Sequence, residues 1–331
     1  MKFEANDSDA EALPGDAALM ARICWFYFKE GQTQEGIAQR LGLTRKRVNR
    51  ILNDARTSGF VQITINNPIS ACAELESRLI EAFGLRRAIV VPTPAAEVDV
   101  RAVVGAAAGQ YVSDHLAPGA SLGITWGGTI NAAAQNVLRR QNQRNTVVLL
   151  CGGLARSTLI NPYDNAAMFA RALDAICYYV TAPMLAETAD LRQMLVNSDP
   201  VREVLQMTRN LDMALLSAVD LSRESKALEY GVISREIWRS LRAAGAAGDI
   251  CGHYLDVDGK PVDHPIVSRT VNPPLDDLRA VPELVLAAGG AQKAPIIHGA
   301  IHAALCHVLI TDEAAATALL SARWRSNCTP H

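Results

Sequence analysis

The sequence predicts an α/β protein built as a small helical domain followed by a larger domain around a mostly parallel sheet. Three observations carry that prediction. Before residue 57, apolar side chains recur at three- and four-residue spacing around a turn glycine. After residue 87, short apolar runs alternate with amphipathic stretches, the pattern of strands and covering helices. At 331 residues the chain is long for one domain and comfortable for a small domain plus a large one.

Composition narrows the class. Hydrophobic residues make up 49% of the chain and the formal net charge is −2, so this is a globular protein and not a basic nucleic-acid coat. Basic charge is local: between Thr33 and Thr57 the cations Arg40, Arg45, Lys46, Arg47, Arg50 and Arg56 outnumber Glu35 and Asp54. The seven cysteines, at 24, 72, 151, 177, 251, 306 and 328, are scattered and never spaced C-x-x-C, which reads as reduced thiols in a cytoplasm. The start, MKFEANDSDAEALPGD, has no apolar leader, and no later run approaches a membrane span of about 20 residues, so no membrane partner is expected.

Residues 1–16 are acid-rich, contain the Pro14-Gly15 break, and are expected to be disordered. Ala17 to Lys29 reads as a helix with Leu19, Ile23, Phe26 and Tyr27 on one stripe, ending at Glu30-Gly31. Next, Ile37, Ala38 and Leu41 recur at helical intervals, Gly42 falls where a bend needs positive φ, and Leu43 plugs the corner. Thr44 is a good N-cap for a second helix, whose Val48, Ile51 and Leu52 pack back on the first. The opposite face carries Arg45, Lys46, Arg47, Asn49 and Arg50, a charge that DNA would neutralise.

Two short helices at such a turn form a helix-turn-helix, in which the second helix enters the major groove. Gln34, Thr44, Arg45, Lys46, Arg47, Asn49 and Arg50 are therefore the residues expected at DNA. A small residue, a turn glycine and two aliphatics at the required offsets favour this over a helical hairpin with a solvated basic face. Phe60 to Ile65 alternates like a short strand, either a wing or an exit strand, and Asn66-Asn67-Pro68 then closes a DNA-binding domain over 17–66.

In the second domain, 67–325, Leu75, Leu79, Ile80 and Phe83 define an amphipathic helix closed by Gly84. Strands are expected at Ile89–Val91, Ser121–Thr125, Thr146–Leu150, Ile176–Val180, Met213–Leu216, Val285–Ala288 and Val308–Ile310, with helices over Val98–His115 and Thr129–Arg140. Most of these strands are apolar without alternation, as strands covered on both faces are.

Ligands of such sheets bind outside the carboxyl ends of the strands. Three glycine-rich loops follow strands here: Trp126-Gly127-Gly128-Thr129, Cys151-Gly152-Gly153-Leu154, and Gly289-Gly290-Ala291-Gln292-Lys293. Glycine lets backbone approach an anion, Thr129 is placed to cap a helix or bond an oxyanion, and Lys293 is a compact cation beside a helix start with Pro295 in its first turn. A glycine pair after one strand is more often only a turn; three at one sheet edge are expected to hold a phosphate or several hydroxyls. Trp126 is read equally as a platform for sugar carbons or as core.

The stretches GQTQEGIAQRLGLTRKRVNRIL, SLGITWGGT, GDICGHYLDVDGKPV and LAAGGAQKAPIIHGAIHAALCHVLITDEAAATALL resemble the SorC family of sugar-binding transcriptional regulators, over nearly all of the chain from about Ala17 to Leu320. The resemblance implies a Rossmann-like effector domain related to sugar-phosphate isomerases, a sugar, sugar phosphate or polyol effector, and a homo-oligomer, dimer or tetramer. It also implies Gly127, Gly128 and Thr129 as a first ligand loop, Gly152 and Gly153 as a second, and Asp256 and Lys293 as polar contacts. The chain departs from the family at Gly128, where relatives often carry a basic or bulkier residue, so phosphorylated and unphosphorylated effectors both stay open.

No metal, cofactor or catalytic residue is expected. His298 and His302 are four apart with His307 and Cys306 further on, but Gly299 stands where a zinc protease needs its glutamate. Asp190, Asp199, Asp212 and Asp220 show no paired spacing. The leading expectation is a cytoplasmic regulator, modestly favoured as a repressor, of a carbohydrate or polyol operon, with operator DNA as partner. The competing one is a sugar-phosphate isomerase or kinase with accessory helices, which needs a general base beside the glycine loops that the sequence does not place there.

Overall fold

The computed structural model describes residues 14–58, 60–61, 68–154 and 161–321. The chain divides into two units, Met1–Asn66 and Asn67–His331. The first contains α1 (Pro14–Phe28), α2 (Gln34–Leu41) and α3 (Arg45–Thr57). Helix α1 starts inside the stretch expected to be disordered, because a proline is tolerated in a first turn, where no amide needs a partner; residues 1–13 lie outside the described residues. Most of the Phe60–Ile65 strand also lies outside them, since only Phe60 and Val61 are described.

Local chemistry sets the corner between α2 and α3. Thr33 caps α2 by accepting from the Gly36 amide at 3.1 Å, and Thr44 caps α3 by accepting from Arg47 at 3.3 Å. Between them Gly42 takes φ 63° and ψ 32°, the left-handed geometry that glycine enters without steric cost. Ile23, Ile37, Val48 and Leu52 then meet in a core that all three helices share. Each such side chain contributes about 1.5–3 kcal/mol on burial.

The second unit runs α4 (Pro68–Phe83), β1 (Arg87–Val91), α5 (Val100–His115), β2 (Ser121–Ile124), α6 (Gly128–Asn136), β3 (Thr146–Leu149), α7 (Pro162–Leu173) and β4 (Ile176–Tyr178). It continues through α8 (Ala189–Asn197), α9 (Asp199–Gln206), β5 (Met213–Asp220), α10 (Lys226–Glu229), α11 (Arg235–Ala243), β6 (Gly248–Ile250) and β7 (His253–Leu255). Last come α12 (Leu275–Arg279), β8 (Glu283–Ala287), α13 (Ala294–His302), β9 (Val308–Asp312) and α14 (Glu313–Ser321).

The sheet order is β1-β9-β8-β5-β2-β3-β4, with all of these pairs parallel. Alternate residues of each central strand enter opposite cores: Val148, Leu216 and Leu286 one, Leu149, Leu215 and Val285 the other. Burial on both faces is why these strands read as unbroken apolar runs. From β2 the chain moves outward to β3 and β4, then returns to lay β5 on the other side of β2 and continues to β8 and β9. The order therefore reverses between β2 and β5, which opens a crevice at their carboxyl ends.

Strand β5 overshoots that edge, and its last residues, Ala218 to Asp220, pair antiparallel with β6 of the β6–β7 hairpin. Cys251 and Gly252 connect the hairpin at φ 52° and 80°, the two positive values a type I′ turn requires. Helices α5 and α6 cross closely because Gly105 and Gly109 face Ala132, Thr129 and Ala133 where no Cβ fits.

Candidate functional site

On α3, Arg45, Lys46, Arg47, Asn49 and Arg50 are all exposed, as is the cap Thr44. None of the four cations forms an ion pair among the described residues. Arg40, by contrast, binds Glu30 at 3.2 Å and lies 4.0 Å over the Phe26 ring. Gln34, at the start of α2, donates from Nε2 to Asn49 Oδ1 at 3.4 Å and so ties the two helices' polar surfaces together. Uncompensated cations along one helical face make a polyanion-binding surface.

At the carboxyl ends of β2, β5 and β8 lies a cleft of about 690 Å³. Its first wall is the loop from Trp126 to Thr129. Gly127 sits at φ 112°, and its carbonyl accepts from Asn131 N at 3.0 Å and from Asn165 Nδ2 at 3.3 Å. Asn131 in turn donates to Asn165 Oδ1 at 2.9 Å, and Ser217 Oγ donates to the Trp126 carbonyl at 2.6 Å. A loop held this way is fixed before any ligand arrives. No side chain caps the first turn of α6. Thr129 lies inside that turn and is buried, so the capping expected of it falls to the backbone of Gly127.

The opposite wall comes from the loop after β8. Gly290, at φ 95°, donates its amide to Asp312 Oδ1 at 2.7 Å. Asp312 is fully buried and also accepts from Thr93 Oγ1 at 2.8 Å. Lys293 reaches back to the Ala218 carbonyl at 2.8 Å. Burial pulls the Lys293 ammonium below the usual lysine range; Asp220 and Asp99 pull it back up and Arg101 pushes it further down.

The start of α5 closes the third side. Asp99 caps the helix, accepting from Arg101 N at 2.9 Å, and its carboxylate also takes Arg101 Nε at 2.8 and 3.0 Å. The Arg101 fork holds the Asp99 carboxyl below the ordinary aspartate range, against the effect of burial.

The structure thus brings Trp126, Gly127, Gly128, Thr129 and Lys293 to one cleft, together with Asp99, Arg101, Ser217 and Asp220. It does not bring Gly152, Gly153 or Asp256 there. A Cβ on Gly152 would stand 2.4 Å from the Pro183 carbonyl oxygen, and one on Gly153 would stand 2.0 Å from the Tyr163 ring, so these glycines serve close backbone and ring packing. Asp256 folds the turn after β7, accepting from Asp258 N and Lys260 N at 2.9 Å each. Three loops converge in sequence; two of them meet in space.

An adjoining pocket of about 420 Å³ shares Trp126 and Val219 with the cleft and is mostly apolar, with Leu221, Val232 and Tyr254 in its walls. Asp249 lies in it, buried, accepting from Gly252 N at 2.6 Å. Burial pushes its carboxyl up to about 7. Trp126 is therefore both core and the partition between a charged lobe and an apolar one. A molecule with an anionic or polyhydroxylated end and a carbon skeleton suits that pair of surfaces.

Sequence reading passed over Asp99, Arg101 and Asp249. An Asp directly before an apolar helical run is a cap signal that marks Asp99; nothing local marks the other two. His298, weighed as a metal ligand, is buried, pairs through Nδ1 with the Val257 carbonyl at 2.7 Å, and stacks on His302. Among the described residues no three His, Cys, Asp or Glu side chains are grouped to hold a metal, and no helix is long and apolar enough to cross a membrane.

A helix-turn-helix unit followed by an α/β unit with a preformed cleft at its topological switch point defines a ligand-controlled DNA-binding protein. A family model of a sugar-binding domain matches residues 67–321. The chain is 33% identical over 312 residues to the transcriptional regulator LsrR of Klebsiella pneumoniae, covering 92% of this chain and 93% of that protein. It is 30% identical over 298 residues to the deoxyribonucleoside regulator of Bacillus subtilis, covering 89% and 95%. The crystal structure of the full-length sorbitol operon regulator SorC from Klebsiella pneumoniae superposes with a TM-score of 0.71 at 26% identity, over 92% of this chain and 99% of that one. The chain belongs to the SorC family of sugar-binding transcriptional regulators.

Proposed function

We propose that this protein is a cytoplasmic repressor of a carbohydrate or polyol operon, not an enzyme. Its N-terminal unit binds operator DNA through Gln34, Thr44, Arg45, Lys46, Arg47, Asn49 and Arg50, and it works as a homo-oligomer. A sugar, sugar phosphate or sugar alcohol, held between Trp126–Thr129 and Lys293, releases it. The observation that carries this reading is one chain pairing an exposed, unpaired cationic helix with a cleft whose loops are already hydrogen-bonded in place. The cleft acids support binding over turnover: Asp99 is engaged by Arg101, and Asp220 accepts from Ser222 N at 2.9 Å, so neither is poised as a free base.

The test uses the full chain, DNA from the region flanking its gene, and a panel of pentose, tetritol and hexose phosphates with the matched free sugars. Arg47→Ala or Arg50→Ala is expected to abolish the DNA mobility shift while ligand-induced thermal stabilisation persists. Panel members are expected to bind without being converted. Unchanged DNA affinity in both variants would remove α3 from the interface, and steady turnover would make the protein an enzyme.

A further inference from the structure

The cleft holds a feature that glycine at position 128 makes possible. A Cβ built on Gly128 would stand 2.9 Å from Arg101 Nη1 and 3.2 Å from its Cδ and Cζ. The Arg101 side chain, delivered from α5, occupies the room that a side chain on the ligand loop would need. Two constraints hold it there. One turn further along α5, Gly105 lies so close to α6 that its Cβ would meet the Thr129 carbonyl oxygen at 2.7 Å, which locks α5 over the first turn of α6. Asp99 grips Nε and Nη2, which leaves the Nη1 edge of the fork toward Gly128. On the facing wall stands Lys293.

We propose that Arg101 is the specificity-determining residue that recognises the anionic group of a phosphorylated effector, with Asp99 as its positioning residue and Gly128 glycine so that the guanidinium can lie over the loop. The planar fork suits a tetrahedral oxyanion, which accepts two parallel N–H bonds where a hydroxyl accepts one. The cleft acids do not cancel this cation: Asp99 is already spent on Arg101, Asp220 on Ser222 N and on Lys293, and Glu224 shares its side with Lys226. The assignment rests on the cleft being the effector site and adds to it the chemistry of the ligand: a phosphomonoester over the free sugar or alditol.

Titrations of the full chain with inorganic phosphate, pentose and hexose monophosphates and the matched free sugars test it, read as the ratio of phosphorylated to free-sugar affinity. The native chain is expected to prefer the monophosphate, and Arg101→Gln to lower that preference about ten- to a hundredfold. Gly128→Ala, which keeps the arginine but pushes it aside, and Asp99→Asn, which frees it, are expected to lower the same ratio by less; a merely structural role would lower affinity for both ligand forms together. An Arg101→Gln ratio equal to the native one, with binding lost in Lys293→Ala, would overturn the role of Arg101 and leave the cleft standing. A native chain that prefers free sugars would do the same. Binding that survives Lys293→Ala intact would overturn the cleft reading, and this assignment with it.

Discussion

Asp249 and His253 flank one tight turn, and the same cause drives them in opposite directions. Burial pushes Asp249 up to about 7 and His253 down to about 4, the latter while paired with the Pro273 carbonyl at 3.0 Å. The carboxyl, raised in the folded chain, stabilises fully below about pH 4, and that stabilisation is lost as pH rises toward 7. The imidazole, depressed in the folded chain, stabilises fully above about pH 6.5, and that is lost as pH falls toward 4. Each shift is worth at most about 3–4 kcal/mol, so the two nearly cancel between about pH 4 and 6.5. Asp249→Asn removes one side of the balance. Urea midpoints of that variant are expected to climb with pH across the window by up to about 3 kcal/mol while the native chain stays nearly flat; parallel profiles would show that Asp249 ionises normally.

At the scale of elements, the contact that aligns the cleft is the α5–α6 crossing. Gly105→Ala puts a methyl carbon 2.4 Å from Ala132 Cβ, between two backbones that must then part. Overpacking of that kind costs about 1–3 kcal/mol, against a gain of about 1 kcal/mol from better helix propensity. A lower urea midpoint than native is the expected result, and a midpoint at or above native would mean the helices separate freely. These elements were legible to different degrees, for physical reasons. Strands such as Thr146–Leu149 and Val308–Asp312 announced themselves because burial on both faces demands an apolar run. The β6–β7 hairpin did not, because Gly248-Asp249-Ile250 is short and polar and its turn starts with Cys251 in place of the usual asparagine or glycine. Gly152-Gly153 looked like a ligand loop because close packing against Pro183 and Tyr163 selects the same residue that an anion would. Arg101 was invisible because its role depends on a helix crossing, not on its neighbours in the chain.

For the whole molecule, joining a DNA-binding unit to an effector cleft has a consequence that no single residue carries. If effector binding lowers DNA affinity by some factor, DNA must lower effector affinity by the same factor, since both paths close one thermodynamic cycle. Such couplings typically amount to about 1–3 kcal/mol, or about 5–150-fold. A ligand that binds both states equally shifts nothing, however tightly it binds. The proposed repressor therefore has a quantitative signature: DNA dissociation constants measured with and without saturating effector, and effector constants measured with and without saturating DNA, give two ratios that are equal and above one. Lys293→Ala is expected to drive both toward one, because the lysine ties the effector wall to the Ala218 carbonyl at the end of β5. Two ratios that disagree at fixed protein concentration would point to a second ligand site or a change of assembly, and two native ratios of one would remove the effector from control of DNA binding.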